Sequence, residues 1–135
     1  MSVDGIHDVV LFEGNVNGTR FEDFVKNCLL PVLQPFNWVN KHSVLILDNA
    51  SIHHVDNVVK LIEDQAGARI LFLPPYSPDL NPLEEAFSQV KSIMKKNHRL
   101  FQSCRLPRVL LSIAFSMVTV EDCKSYITHS GYLHN

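Results

Sequence analysis

Two runs of apolar residues dominate the middle of the chain: Ser43-Val44-Leu45-Ile46-Leu47 and Arg69-Ile70-Leu71-Phe72-Leu73. The first has no polar alternation, which predicts a strand covered on both faces, and the second reads as another buried strand. Between them Val58, Val59 and Ile62 form a short helical face, starting from Val55 and closed by Gly67. Pro74-Pro75 cannot continue a ladder, so the second strand stops there. Upstream, Asp4-Gly5 is a favoured tight-hairpin pair and residues 9–12 (Val-Val-Leu-Phe) predict a strand after it. Residues 14–18 form a turn. Thr19 then suits an N-cap with Glu22 as its capping-box partner. Phe21, Phe24, Val25, Cys28, Leu29 and Val32 give that helix its stripe, and Pro35 helps end it.

Downstream, Asn81 is a good N-cap and Pro82 suits the first helical position. Leu83, Phe87, Val90 and Met94 line one face of the helix they open, while Lys91, Lys95 and Lys96 occupy the others. Residues 106–115 and 120–127 predict two more helices, the second capped by Thr119. Strands alternating with helices make the chain α/β or mixed α+β, without repeats or a visible domain boundary.

At 135 residues, 46% hydrophobic and 19% charged, the chain fits one soluble globular domain. No apolar run reaches the ~18 residues of a membrane span, and the start lacks a basic-then-apolar signal pattern. Cys28, Cys104 and Cys123 are odd in number and widely spaced, which predicts reduced thiols and an intracellular home. Net charge is −2, without the basic excess of a self-sufficient DNA binder. Any meeting with DNA therefore rests on local basic patches or a separate binding domain.

The candidate chemistry lies at the ends of the apolar runs. Asp48 follows the first, and Glu84 sits in the first turn of the helix after the second, 36 positions on (84 − 48). One helix and one strand fill that interval. Both acids are then expected near the same end of the sheet, where ligands of open α/β sheets bind. Two carboxylates there suit Mg²⁺ or Mn²⁺, which prefer hard oxygen ligands. Each acid also has a structural reading: Glu84 as the third residue of a capping box, Asp48 as the start of a turn.

The joint pattern goes further. Ser77-Pro78-Asp79-Leu80-Asn81-Pro82-Leu83-Glu84, with Leu47-Asp48-Asn49-Ala50 upstream, closely resembles the DDE transposase and integrase superfamily, in particular mariner-like and related insertion-sequence transposases. The resemblance extends over most of the chain, from residues 2–6 to residues 120–132. It implies a ribonuclease H-like mixed sheet flanked by helices. It also implies a metal-dependent endonuclease that cleaves DNA at transposon ends and then joins strands, the chemistry of transposition and integration. Asp48 and Glu84 would be catalytic and would hold Mg²⁺ or Mn²⁺. Glu85 is rotated about 100° away on the helix. Lys91, two turns beyond Glu84, matches a lysine that contacts a phosphate or simply stays solvated. His53 matches a histidine that orients a phosphate or water, or serves structurally. His54 has less support, and neither histidine suits as a metal ligand here. Phe87 falls on an aromatic position whose role is packing.

In the family the first catalytic aspartate sits on a first, central strand. Asp4 belongs to the hairpin turn and Asp8 lies just beyond it, so neither substitutes. The expectation is a truncated catalytic domain over residues 1–135 that lacks that strand. It would be inactive alone, with exposed strand edges that favour a homodimer. DNA is the expected partner and a nucleus or nucleoid the expected place of work. The alternative is a catalytically inactive, transposon-derived DNA- or protein-binding module. A phosphatase or nuclease on a similar sheet would have no reason to carry the proline-asparagine signature.

Overall fold

A computed structural model describes residues 1–54 and 56–133. Val55, with which the sequence reading starts the second helix, lies outside the described residues, as does the side chain of His54. The architecture is mixed α/β, with helices around a small parallel sheet. It divides into two compact units, residues 12–77 and residues 1–11 with 78–135.

The unit of residues 12–77 is a strand–helix–strand arrangement with a helix before it. Helix α1 (Gly18–Phe24) runs on through a wider π turn, Val25–Leu29. Strand β1 (Val44–Leu47) leads through a 3₁₀ turn, Ser51–His54, to α2 (Asp56–Lys60). A second π turn, Leu61–Gln65, extends α2 before β2 (Arg69–Phe72). The strands pair in parallel, Val44 opposite Arg69 through Leu47 opposite Phe72. Gly67 stands between helix and strand at φ +64°, a left-handed conformation that glycine adopts without steric cost.

Successive strand residues point to opposite faces. On one face Leu45, Leu47, Ile70 and Phe72 pack with Phe21, Val25, Val58, Leu61 and Ile62 to form this unit's core. The other face carries Val44, 43% exposed, and Leu71, 49% exposed. The expectation of strands covered on both faces is therefore corrected: within this unit the helices supply cover for one face only. Val25, Val58 and Ile62 are wholly buried, and at ~25 cal/mol per Å² such side chains are worth roughly 1.5–3 kcal/mol each.

The second unit is helical. Helix α3 (Pro82–Lys96) begins at Asn81, whose side chain accepts from the Leu83 N–H, with Pro82 in the first turn. Helices α4 (His98–Ser103), α5 (Pro107–Ser116) and α6 (Val120–His129) follow. Thr119 and Asp122 form a complete capping box at the start of α6. Ala86, Val90, Ala114, Val118 and Cys123 make the core here, with Met1 and Ile6 packed against it. A polar chain braces α3 on α6: the Tyr126 hydroxyl donates to Gln89 Oε1 at 2.8 Å, and Gln89 Nε2 donates to Asp122 Oδ2 at 3.2 Å.

Other expectations are also corrected. Residues 9–12 form no strand: the Val9 N–H donates to the Asp8 carboxylate at 2.7 Å, and Val10 and Phe12 stay more than 40% exposed. That side-chain bond takes a donor a ladder would need. The turn near the start bridges Ser2 and Gly5 around Val3-Asp4, so Gly5, at φ +116°, closes the turn instead of sharing its centre with Asp4. Asn17, not Thr19, caps α1 by accepting from the Arg20 N–H, and Glu22 pairs with Lys26 at 2.7 Å instead of completing a box. The α1 helix also ends at Leu29, well before Pro35. On α3 the buried stripe is Ala86 and Val90, while Leu83 and Phe87 remain about 40% exposed. Small Ala86 lets α5 and α6 approach α3 where a larger side chain would hold them off.

Candidate functional site

Asp48 is the first residue beyond β1, at the carboxyl end of the strand. Its Oδ1 accepts from the Ala50 N–H at 3.0 Å and lies 2.8 Å from His53 Nδ1. The same ring nitrogen is 3.1 Å from the Asp48 carbonyl oxygen. A carbonyl only accepts, so Nδ1 carries the proton and donates to both oxygens. The 3₁₀ turn of residues 51–54 places His53 there, and Phe21 stacks on its ring with centroids 4.4 Å apart. The result is an aspartate that is 53% exposed but fixed, beside a histidine only 14% exposed. Among the described residues the contacts of the Asp48 carboxylate use Oδ1.

Glu84 belongs to the other unit. It lies in the first turn of α3 and lines an open cleft of about 270 Å³ with Pro78, Asp79, Asn81, Glu85, Ser88 and Ser130. Pro78–Leu80 form a 3₁₀ turn before the helix, and the Asn81 N–H donates to the Pro78 carbonyl at 2.9 Å. The Tyr132 hydroxyl donates to the Leu80 carbonyl at 2.7 Å, pinning that turn from the far end of the chain. Burial raises the Tyr132 hydroxyl above its ordinary value near 10. Glu85 is held by His129, whose Nδ1 lies 2.8 Å from Oε1. Glu84 makes no such bond among the described residues, and it shares the cleft with Asp79. Lys91 is exposed on α3, two turns or roughly 10 Å along the axis from Glu84.

Asp48 and His53 are thus brought into contact, and Glu84 and Lys91 share one helix. Asp79, Ser88 and Ser130, which line the Glu84 cleft, escaped the sequence reading. Of these only Asp79 had a signal, as part of the proline-asparagine signature. Phe87 packs edge-on against Phe115 with centroids 5.9 Å apart, as its packing role predicted. The two acids suit a hard divalent cation by chemistry. By number they fall short, since no group of three metal-ligating side chains converges among the described residues. Among the described residues no helix is long and apolar enough to cross a membrane, and Cys28, Cys104 and Cys123 form no disulfide.

The structure thus has a strand ending in a fixed aspartate and, later in the chain, a proline-asparagine turn that opens a helix carrying Glu84. The description of the DDE superfamily endonucleases matches residues 1–106, and the chain belongs to that family. No curated protein and no solved structure matches it.

Proposed function

We propose that this chain is the catalytic portion of a DDE transposase, built on a ribonuclease H-like sheet, with DNA as substrate. Asp48 and Glu84 are two of the acids that hold Mg²⁺ or Mn²⁺. When bound, such cations activate the attacking oxygen and stabilise the leaving oxygen of a phosphodiester. His53 donates to Asp48 Oδ1 and so fixes the carboxylate. Lys91 offers a positive charge to a backbone phosphate along the helix that carries Glu84. The observation that carries the reading is the His53-oriented Asp48 at the end of β1, in a chain of this family. Two carboxylates leave the charge compensation incomplete, so residues 1–135 by themselves bind metal and do not nick DNA. The setting is a nucleus or nucleoid.

Calorimetric titration of the purified chain with Mn²⁺, followed by a supercoiled-plasmid nicking assay, tests this. Saturable binding weakened by both Asp48→Asn and Glu84→Gln, without nicking, is the expected result. Nicking that Asp48→Asn abolishes would show that these acids suffice, overturning the inactivity alone. Absence of metal binding by the folded chain would overturn the catalytic reading in favour of a DNA- or protein-binding module.

A further inference from the structure

At the opposite end of β1 from Asp48, the loop of residues 34–43 presents the chain's single tryptophan to solvent. Trp38 is 84% exposed and sits at φ +68°, where a bulky side chain is an outlier and function is a common cause. The loop is braced around it. Asn37 Oδ1 accepts from the backbone N–H groups of Val39 at 3.0 Å and Asn40 at 2.7 Å. Asn40 Nδ2 donates to the Pro35 carbonyl at 2.8 Å, and the Ser43 hydroxyl donates to the Asn40 carbonyl at 2.7 Å. The Phe36 N–H donates to the Gly67 carbonyl at 2.9 Å, tying the loop to the segment that enters β2.

Arg69, the first residue of β2, lays its guanidinium 4.1 Å from the Phe36 ring centroid and 5.6 Å from that of Trp38. The two rings meet edge to face at 4.8 Å and 63°. Lys41 is exposed on the same loop, and residues 34–43 contain no acid. The burial of apolar area does not explain this arrangement, since Trp38 and its neighbour Val39 are both more than 80% exposed.

We infer that the Phe36–Arg69–Trp38 cluster is a stacking platform for an unpaired nucleobase, with Arg69 and Lys41 facing the adjoining phosphates. A flat ring held outward stacks on any base, and cationic neighbours hold the backbone that carries it. Exposed Val39, Val44 and Leu71 adjoin the cluster, but the guanidinium laid on the rings and the absence of any acid in residues 34–43 favour an anionic, ring-bearing partner. The platform stands roughly 15 Å from Asp48 along the strand pair, at ~3.3 Å per residue. It therefore engages DNA away from Asp48. This inference rests on the proposal that DNA is the substrate.

Because Trp38 is the chain's only tryptophan, its fluorescence reports on this position alone. The purified chain is titrated with a dye-labelled, mixed-sequence single-stranded oligodeoxynucleotide and with an abasic strand of equal length. Dye anisotropy reads binding and tryptophan emission reads stacking. The expected result is quenching by the base-bearing strand only, with Trp38→Ala weakening its binding roughly ten- to a hundredfold and Trp38→Phe retaining most of it. Binding with unchanged emission, or equal quenching by the abasic strand, overturns the platform and leaves the DNA substrate standing. No rise in anisotropy overturns both. An emission shift that follows protein concentration without DNA assigns the surface to a second copy of the chain and overturns the inference.

Discussion

Tyr132 and Leu80 are joined by a 2.7 Å hydrogen bond between residues 52 positions apart, phenol hydroxyl to backbone carbonyl. The bond fixes the turn that delivers Glu84. Tyr132→Phe keeps the ring and deletes the donor, so the Leu80 carbonyl must find water. The expected loss is about 0.5–1.5 kcal/mol, a fall in Tm of a few degrees. Thermal unfolding followed by circular dichroism measures it.

With Asp48 as a cation ligand, as proposed, His53 would act on the cation through the Asp48 carboxylate it holds. Removing a group that orients a ligand typically costs 10- to 100-fold in metal affinity. His53→Ala is therefore expected to weaken Mn²⁺ binding by about that factor while leaving the fold intact, as calorimetric titration against the unmodified chain would show. An unchanged affinity would reduce His53 to a packing partner of Phe21.

The capping box of α6 makes part of the stability depend on pH. The Thr119 backbone N–H, then Gln89 and the Thr119 side chain, hold the Asp122 carboxyl below its ordinary value near 3.8. Folding then favours the ionised form. Its stabilisation is complete above that ordinary value and is lost as pH falls through the depressed one. Asp122→Asn should lower stability at neutral pH and flatten the acid dependence below about pH 4, read as helical ellipticity across an acid titration.

Ile62 is wholly buried in the core of residues 12–77, so Ile62→Ala is expected to cost about 2–5 kcal/mol. Gly67→Ala fails differently. A Cβ added at Gly67 would lie 3.3 Å from the Pro35 Cβ at φ +64°, and the left-handed backbone alone costs about 1–2 kcal/mol. Urea denaturation of both variants measures these losses. Relieving the Pro35 contact shifts the backbone at position 67, whose carbonyl accepts from the Phe36 N–H, so Gly67→Ala is also expected to reduce Trp38 quenching.

Local signals that act over one turn were legible in the sequence. Asn81 and Pro82 open α3, Thr119 caps α6, and the two apolar runs became β1 and β2 with nearly the expected limits. What failed depended on partners. Residues 9–12 have strand-forming side chains but no neighbouring ladder among the described residues. Thr19 was the expected cap, and only the geometry of the Arg20 N–H selects Asn17. Helix α4 has no side-chain cap to announce it. The stripe of α3 turned because Ala86 permits a closer approach than Leu83 or Phe87 would. For the site, Asp48 and Glu84 stood out through a long motif, and His53 through its fixed distance from Asp48. The Trp38 cluster was invisible, since it needs a left-handed backbone and an arginine from the other side of the helix crossover.

The parallel pairing of β1 and β2 also constrains the order in which residues 12–77 assemble. Every rung joins a residue to one 25 positions later, from Val44–Arg69 to Leu47–Phe72. No rung can form until the intervening chain has closed, and closure loses entropy before any ladder bond returns enthalpy. Helix α2 and the π turn after it lie within that interval and bury Val58 and Ile62, so helix formation there shortens the loop that pairing must close. The Asp48 carboxylate, by contrast, is held by partners within five residues, Ala50 and His53, whose contacts do not wait for that closure.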